Sequence, residues 1–578
     1  MRELIRYLKD YKKESILGPL FKMLEASFEL FVPLVMAAII DTGIRNHDRP
    51  YIWHMGLLLV FFGGLGLVCS LTAQYFAAKA AMGFGTALRR DLFAHINNMS
   101  YTELDILGTP TLVTRMTSDI NQTQAGVNLV LRLFLRSPFI VVGAVLMAFT
   151  ISVKMTVIFL IAVPVISLII YFIVKSTIPI YKSAQAALDR VSLLTRENHI
   201  GSRVVRAFSK QQEEISRFEE TTGALTRIQL HAGRISALLN PATYVVVNLA
   251  IMAILWSGGY VVDSGEITQG ELIALINYMS QILLALIALA NLIITFTKAT
   301  ASAIRINEVF HTQPSMHEGE KTGSGGEGEV PAVEFRQVSF SYANAKENAL
   351  EEISFSAAQG ETIGIIGGTG AGKSTLVHLI PRFYDTSKGE VLFRGRPIQE
   401  YRLEYIRSRI GIVPQKAVLF QGTLRDNMKW GKEEASDSEI RESLDIAQAT
   451  AFVEGKKEGL DLKIHQGGRN LSGGQRQRLT IARALVGKPD ILILDDSASA
   501  LDFATDAALR KAIKEKTKGM TVFIVSQRAS SIKHADKILV LDDGRMAGMG
   551  THRELLENCR VYEEICTSQL SREEVQRR

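Results

Sequence analysis

The sequence predicts a membrane α-helical domain with six spans that is fused to a soluble α/β domain with a glycine-rich phosphate-binding loop. Three observations support this fold class. Long apolar segments occur only before about residue 300, a glycine-rich motif follows a short apolar strand after residue 360, and a Gly- and Glu-rich stretch separates the two parts. We therefore expect a membrane domain over 1–310, a flexible linker over 311–331 and a soluble domain over 332–578.

Six apolar windows are long enough to cross a bilayer as helices, which requires about twenty residues. They cover residues 16–42, 54–80, 128–151, 154–178, 238–262 and 269–297. The second and fourth connections between them are long and rich in Lys and Arg, whereas the other three are short. Because Lys and Arg accumulate on the cytosolic side, both termini, both long loops and the soluble domain are predicted to be cytosolic.

The remaining composition narrows the class of protein. A formal charge of +6 fits a bacterial inner-membrane protein with basic cytosolic loops, and no basic-aromatic platform for nucleic acid is present. Cys69, Cys559 and Cys566 have no spacing that predicts a disulfide framework or a zinc site. The N-terminal segment is basic and amphipathic without a cleavage site, which predicts a helix on the cytosolic membrane surface.

Two segments of the long loops, Tyr101–Leu107 and Ser209–Arg217, have the pattern of short helices that cap helical hairpins. A membrane helix that extends into the cytosol reaches a soluble domain only through such a turn. We therefore expect both segments to couple the membrane domain to the soluble domain. The alternative is that they are two solvated turns with no partner.

Four charged residues fall inside the predicted spans, where a charge is costly unless it is paired or faces a cavity. Glu25 and Glu29 lie four residues apart in the first span, and Arg132 and Arg136 have the same spacing in the third. The sequence leaves open whether these residues pair with each other or line a vestibule.

The strongest motif lies in the soluble domain, where a strand at Thr362–Ile366 precedes the pattern G-x-x-x-x-G-K-[ST] and a helix follows it. This pattern predicts an α/β P-loop NTPase that binds ATP with Mg²⁺. Lys373 is expected to reach the terminal phosphates, and Ser374 to coordinate the metal. The predicted phosphate-binding residues are Gly367, Gly368, Thr369, Gly370, Ala371, Gly372, Lys373, Ser374 and Thr375.

Two further patterns complete the predicted nucleotide site. The apolar run that ends at Asp495 has the form of the strand that carries a Mg²⁺-binding carboxylate. A second glycine turn, which also suits a phosphate at a helix start, consists of Leu471, Ser472, Gly473, Gly474 and Gln475. One domain has little need for two such turns. We therefore expect head-to-tail pairing, in which each domain's second turn covers the ATP of the other.

These motifs together resemble a half-transporter of the ABC exporter family, and the resemblance covers nearly the whole chain. It implies a domain-swapped exporter arrangement of the six spans, and the LSGGQ pentapeptide implies contact with the partner's ATP. It also implies that Tyr342 stacks on adenine and that Gln415 touches Mg²⁺ beside Ser374 and Asp495. Ser499 and Asp502 are expected at the dimer interface.

Two departures from the family pattern fall at the hydrolytic centre. Asp496 stands where the family has a glutamate that activates water, and a shorter side chain would miss that water by about 1 Å. Gln527 stands where the family has a histidine, and a neutral amide adds no positive charge at the γ-phosphate. These changes predict a slow site in a heterodimer with a second, non-identical half-transporter. The alternative is a weakly active homodimer.

The fused arrangement resembles exporters, so we expect ATP-driven export of hydrophobic or amphipathic small molecules, as in multidrug efflux. Glu25 and Glu29 are compatible with cationic substrates without establishing them. A lipid flippase, an exporter of unprocessed peptides and an ATP-gated regulatory or channel subunit remain alternatives, since the sequence does not separate them.

Overall fold

The structure is a computed structural model that describes residues 3–323, 330–497 and 500–569. The described residues form two compact units. The first unit contains residues 3–97 and 110–312, and the second contains residues 98–109 and 313–569. Each unit is described separately below.

The helices of the first unit are long, as the apolar windows predict. They are α1 (Lys12–Ala38), α2 (Arg49–Asn97), α4 (Thr109–Thr114), α5 (Ile120–Leu133), α6 (Arg136–Ile151), α7 (Val153–Ile200), α8 (Ser202–Ala207), α9 (Gln211–Ala237), α10 (Leu239–Asp263) and α11 (Gln269–His311), while α3 (Tyr101–Leu107) belongs to the second unit.

Six continuous helical segments are long and apolar enough to cross a membrane. They are Glu3–Ile44, Arg49–Asn97, Thr109–Ile151, Val153–Ile200, Gln211–Asp263 and Gln269–His311, with lengths of 42 to 53 residues. Each contains one of the six predicted windows, so the prediction of six spans is confirmed. Because about twenty residues cross the hydrocarbon core, every segment extends well beyond it.

Small residues allow close packing of the helices in the first unit, as is usual within membranes. On α1, a Cβ added to Gly18 would lie 3.4 Å from the backbone nitrogen of Ala77 on α2, so the two backbones approach closely there. On α11, the buried Tyr278 donates a hydrogen bond of 2.7 Å to the carbonyl oxygen of Leu30 on α1. Helix α1 therefore packs against both α2 and α11.

The two predicted loop helices have different outcomes. Tyr101–Leu107 is a helix with the predicted bounds, and its start is fixed by reciprocal hydrogen bonds between Ser100 and Glu103. The prediction of a short helix over Ser209–Arg217 is wrong, because the short helix is α8, seven residues earlier. Ser209 has a left-handed backbone (φ 52°) that breaks the chain, and the following residues form the first turns of the long helix α9.

The second unit contains two main sheets. Its strands are β1 (Val333–Phe340), β2 (Leu350–Ala357), β3 (Thr362–Gly367), β4 (Lys388–Phe393), β5 (Arg396–Pro397), β6 (Ile410–Val413), β7 (Gly422–Thr423), β8 (Lys463–Ile464), β9 (Ile491–Asp495), β10 (Thr521–Val525), β11 (Lys537–Asp542) and β12 (Arg545–Gly550). An antiparallel sheet has the order β2-β1-β4-β5, and a six-stranded sheet has the order β12-β11-β3-β10-β9-β6.

The helices of the second unit follow the strands in an α/β arrangement. They are α12 (Lys373–Leu379), α13 (Leu403–Ser408), α14 (Leu424–Lys429), α15 (Asp437–Ile446), α16 (Thr450–Glu454), α17 (Gly473–Val486), α18 (Phe503–Lys516), α19 (Ala529–Ile532), α20 (His552–Asn558) and α21 (Arg560–Gln569).

The six-stranded sheet brings together the carboxyl ends of β3, β9 and β10, which precede the predicted site residues. Strand β10 lies between β3 and β9 and is parallel to both, with Val525 opposite Ile365 on one side and Asp495 on the other. The carboxyl ends of parallel strands meet at one edge of a sheet, where ligands bind in open α/β folds. The loops after β3, β9 and β10 therefore converge.

Candidate nucleotide-binding site

The loop after β3 has the backbone geometry that its glycines predict. Gly370 and Gly372 have left-handed φ angles of 86° and 88°, which only glycine adopts without strain. A Cβ added to Gly372 would lie 2.6 Å from the carbonyl oxygen of Ala349, so a side chain there has no room. The loop ends where α12 begins at Lys373, and the helix start directs backbone N–H groups into the loop.

The side chain of Lys373 lies inside this loop. Its ammonium donates hydrogen bonds of 3.0 Å to the carbonyl oxygen of Gly367 and 2.5 Å to that of Gly368. Burial lowers the pKa of Lys373 from its ordinary value. This buried ammonium is hydrogen-bonded to two neutral carbonyls and lies near the carboxylates of Asp495 and Asp496, so it is well placed to gain energy from an anionic ligand such as a phosphate.

The residues predicted to hold Mg²⁺ converge beside the loop. The hydroxyl of Ser374 donates a hydrogen bond of 2.9 Å to Asp495, and burial raises the pKa of that carboxyl group. The amide of Gln415 lies 3.4 Å from the carboxylate of Asp496. A hydroxyl, a carboxylate and an amide oxygen suit a hard cation that keeps several waters and binds phosphate oxygens, so this donor set fits Mg²⁺.

Asp496 and Gln527 occupy neighbouring turns at the ends of β9 and β10. Asp496 has a left-handed backbone (φ 44°), and its N–H donates a hydrogen bond of 3.0 Å to the carbonyl oxygen of Val525. Burial, and then the charge of Asp495, raise the pKa of the Asp496 carboxyl. Gln527 is exposed and follows β10 by two residues.

A cavity of about 290 Å³ collects most of the predicted residues. It is lined by Tyr342, Ala349, Thr369, Gly370, Gly372, Lys373, Ser374, Thr375, Gln415, Asp495, Asp496, Val525 and Gln527. Ala349 and Val525 were not singled out from the sequence, and no motif marks them. The cavity therefore brings the phosphate loop, the metal-binding candidates and both altered hydrolytic residues to one place.

Tyr342 closes one side of this cavity. Its hydroxyl lies 3.0 Å from the hydroxyl of Thr375, and its ring packs edge-on against Phe340 and Tyr384 at 4.9 and 5.4 Å between centroids. These contacts fix the plane of the Tyr342 ring at the rim, which is the requirement for stacking on a flat base.

Tyr384 connects this aromatic cluster to α3, a contact that the sequence did not predict. Its hydroxyl donates a hydrogen bond of 2.7 Å to the carboxylate of Asp105, and Tyr101 packs on Phe383 with ring centroids 4.6 Å apart. Burial raises the pKa of Tyr384, so the hydroxyl keeps its proton and acts as the donor. These contacts join α3 to the rest of the second unit, and the coupling role of Tyr101–Leu107 stays a prediction.

The second glycine turn lies apart from the cavity. Ser472 caps the start of α17, with reciprocal hydrogen bonds of 3.0 and 3.3 Å to Gln475, and it does not line the pocket. Asp502 caps the start of α18 by accepting a hydrogen bond of 2.9 Å from the N–H of Thr505. Ser499 lies outside the described residues. The turn at Ser472 and the phosphate loop are thus not brought together within the chain.

The charged residues of the membrane spans are largely paired. Glu29 accepts a hydrogen bond of 2.7 Å from Arg136, whereas Glu25 pairs at 2.5 Å with Lys22, a residue that the sequence analysis did not consider. Lys22 also donates to Ser70 on α2 at 3.2 Å. Both carboxylates are therefore neutralised by basic residues of the same unit, which removes the electrostatic support for a preference for cations.

Six apolar membrane helices fused to an α/β domain with a P-loop and a separate LSGGQ turn define an ATP-driven membrane transporter. Two family models match the chain, the ABC transporter transmembrane region over residues 15–286 and the ABC transporter domain over residues 350–499. The chain belongs to the ABC transporter family, and its architecture is that of an exporter-type half-transporter.

Three curated relatives span nearly the whole chain. It is 35% identical to the uncharacterized ABC transporter ATP-binding protein YfiB of Bacillus subtilis, covering 99% of both proteins. It is 30% identical to the putative multidrug export ATP-binding/permease protein YgaD of Bacillus subtilis, covering 98% of the chain and 99% of that protein. It is 29% identical to the ATP-dependent lipid A-core flippase of Yersinia pestis, covering 98% of the chain and 97% of the flippase.

A solved structure shares the fold. The chain matches a bacterial Atm1-family ABC exporter with ATP bound at a TM-score of 0.82 and 23% identity, covering 97% of the chain and 99% of that structure. The predicted fold class, a six-span membrane domain fused to an ABC nucleotide-binding domain, is therefore confirmed. The protein is a multi-pass membrane protein and an ATP-hydrolysing transporter.

Proposed function

We propose that this chain is one subunit of a heterodimeric ABC exporter and that its own ATP site hydrolyses slowly. In this proposal its LSGGQ turn covers the competent ATP site of a non-identical partner. The pair exports hydrophobic or amphipathic small molecules across a bacterial inner membrane, with the nucleotide-binding domain and both termini in the cytosol.

The observation that carries the proposal is the position of Asp496 and Gln527 in one cavity with an intact phosphate loop. Lys373, Ser374 and Asp495 have the geometry for ATP and Mg²⁺, so binding is retained. A carboxylate one methylene short of the family's length loses about 10²-fold through misplacement. A neutral amide in place of an imidazole loses electrostatic stabilisation of the developing phosphate charge, also about 10²-fold.

The need for an unlike partner follows from symmetry. In a pair of identical chains both sites would contain Asp496 and Gln527, and neither would hydrolyse quickly. In a pair of unlike chains, this chain supplies Ser472 to its partner's ATP, and the partner supplies the glutamate and histidine. A weakly active homodimer is the alternative, and the composition of the purified transporter separates the two.

The substrate is proposed to be a small amphiphile, either a drug or a lipid. Named relatives act in each class, since one is a putative multidrug exporter and another a lipid A-core flippase. The pairing of Glu25 with Lys22 and of Glu29 with Arg136 gives no preference for cations. Export of unprocessed peptides remains compatible with the same architecture.

A regulatory or ATP-gated subunit is a second candidate function. It is favoured by the same pair of residues, because a site that binds ATP and cleaves it slowly lets the nucleotide act as a ligand that shifts conformational populations. Uphill, vanadate-sensitive export would support the pump. Passive flux that requires only bound ATP would support the gate.

Co-purification tests the proposal directly. The chain is tagged in its native host, the second half-transporter that accompanies it is identified, and ATPase rates are measured for the chain alone and for the pair. We expect a non-identical partner, fast hydrolysis by the pair and slow hydrolysis by the chain alone. Full transporter rates from two copies of this chain would contradict the proposal.

A further inference from the structure

The loop that carries Gln527 is hydrogen-bonded both to the central sheet and to the last described helix. Toward the sheet, the N–H of Ser526 donates a hydrogen bond of 3.0 Å to the carbonyl oxygen of Ile365 on β3. From the helix, the side-chain amide of Gln569 donates a hydrogen bond of 2.7 Å to the carbonyl oxygen of Gln527. Its amide oxygen accepts a hydrogen bond of 2.9 Å from the N–H of Ala529. One side chain therefore bridges the backbone on both sides of Arg528.

Gln569 is the last residue of α21, and this helix is firmly anchored. Tyr562 and Cys566 are fully buried in an apolar cluster that also contains Ala529 and Ile366, the residue before the phosphate loop. The spacing of Tyr562, Cys566 and Gln569 places all three on one face of the helix. The hydroxyl of Tyr562 adds a hydrogen bond of 2.7 Å to His552 on α20. The amide of Gln569 is thus carried at the exposed end of a helix whose earlier turns are anchored in this cluster.

We infer that Gln569 is a positioning residue that holds Gln527 at the nucleotide cavity and thereby sets the preference of this site for ATP over ADP. The inference rests on the proposed function and on the ability of the neutral Gln527 amide to donate a hydrogen bond to the γ-phosphate, which ADP lacks. Two hydrogen bonds to the backbone fix the loop before nucleotide binds, so ATP does not have to order it. Without the bridge, part of the γ-phosphate interaction is lost to ordering the loop.

A role for Gln569 in stability alone makes a different prediction. In that case its loss lowers the melting temperature of the protein and weakens ATP and ADP binding equally, or not at all. A positioning role lowers affinity only for ligands with a γ-phosphate. The comparison of two nucleotides in one variant therefore separates the two roles, whatever the change in stability.

The experiment uses the intact transporter pair and photolabelling with azido-ATP, because a gel then separates label on this chain from label on its partner. Competition by AMP-PNP and by ADP is measured for Gln569→Ala, Gln569→Glu, Ser568→Ala and Gln527→Ala. Gln569→Glu keeps the acceptor for Ala529 and loses the donor to Gln527. Ser568, whose hydroxyl donates a hydrogen bond to the carbonyl oxygen of Ile565 in the same helix, is the matched control.

We expect Gln569→Ala and Gln569→Glu to weaken competition by AMP-PNP about 3- to 10-fold, as one or two hydrogen bonds permit, with ADP unchanged. Ser568→Ala should match the unaltered chain, and Gln527→Ala should weaken AMP-PNP at least as much as Gln569→Ala. If Gln527→Ala changes the preference and Gln569→Ala does not, the inference is wrong and the proposed function stands. If neither changes it, the proposed contact of Gln527 fails as well.

Discussion

The two sides of the nucleotide cavity differ in how far their residues match the family pattern. On the binding side, the phosphate loop, Lys373, Ser374 and the Tyr342 ring line one cavity and fit ATP with Mg²⁺. On the hydrolytic side, Asp496 and Gln527 replace the two residues that the family uses for cleavage. The binding side is also the one that reaches α3, through Tyr342, Tyr384 and Asp105. If the proposed slow hydrolysis holds, occupancy of this pocket by ATP, rather than cleavage of the ATP, is the signal that it passes on.

The largest expected effect is on the partner's site. Ser472→Ala should lower ATPase activity of the pair about 10²-fold, because it removes an oriented donor from the competent ATP. Azido-ATP labelling of this chain should not change, since Ser472 does not line its own cavity. Ser436 is a matched control, because it caps α15 with the same reciprocal hydrogen bonds to Glu439. An equal loss of ATPase activity in Ser472→Ala and Ser436→Ala would show that Ser472 acts only as a helix cap.

The binding side is tested by Lys373→Ala. Loss of a buried ammonium from the phosphates should weaken azido-ATP labelling of this chain about 10- to 100-fold, as for hydrogen bonds between charged groups. Labelling of the partner chain in the same sample is the internal control. Unaltered labelling of this chain would show that the intact loop does not bind nucleotide.

The hydrolytic side is tested by restoring the family residues. The double change Asp496→Glu and Gln527→His should raise hydrolysis at this site about 10-fold or more, because both the base and the positive charge return. The rate is measured in single turnover, with the partner's glutamate changed to glutamine so that only this site cleaves. A rate that stays low would place the cause of slow hydrolysis elsewhere.

The link to α3 is tested by Tyr384→Phe, which keeps the ring stack and removes the hydrogen bond to Asp105. We expect about a fivefold loss of substrate-stimulated ATPase with basal activity and ATP labelling retained, since one hydrogen bond contributes about 1 kcal/mol. Asp105→Asn keeps an acceptor and should lose less. If the free-energy loss of the double variant equals the sum of the free-energy losses of the two single variants, the two residues do not act through one hydrogen bond.

The smallest expected effect is that of Asp496→Asn. In the proposed function the Asp496 carboxylate is too short to activate water, so removing its charge should lower turnover of the pair less than about twofold. Changing the partner's glutamate to glutamine is the matched comparison and should abolish turnover. A severe loss in Asp496→Asn would mean that this site hydrolyses ATP in every cycle.

The fold was predictable because its signals are local. Apolar length identifies spans, and the phosphate loop needs glycine at Gly370 and Gly372 for left-handed backbone that no other residue adopts cheaply. The loop helices were harder. Tyr101–Leu107 has a capping box, which marks its start, whereas α8 begins after Gly201 without a side-chain cap. The helical pattern of α9 then obscured its position.

Contacts between residues far apart in the chain could not be predicted, because no local sequence pattern marks them. Tyr384 is hydrogen-bonded to Asp105 across 279 residues of chain, and Glu25 pairs with Lys22, whereas the sequence left open a pairing with the arginines of the third span. Gln569 contacts the Gln527 loop from the end of the last described helix. None of these pairs has a fixed spacing, because the chain that joins them folds elsewhere.

The sequence by itself determined the six spans and the ATP-binding domain, and it predicted the Mg²⁺ ligands and the two departures at Asp496 and Gln527, since each depends on residue type at short spacing. Only the tertiary structure decided which side chains meet across the chain: the neutralised glutamates of the first span, the bond between Tyr384 and Asp105, and the bridge from Gln569. The physical reason is that hydrogen bonds and ion pairs depend on distances of about 3 Å, and packing of distant segments sets those distances.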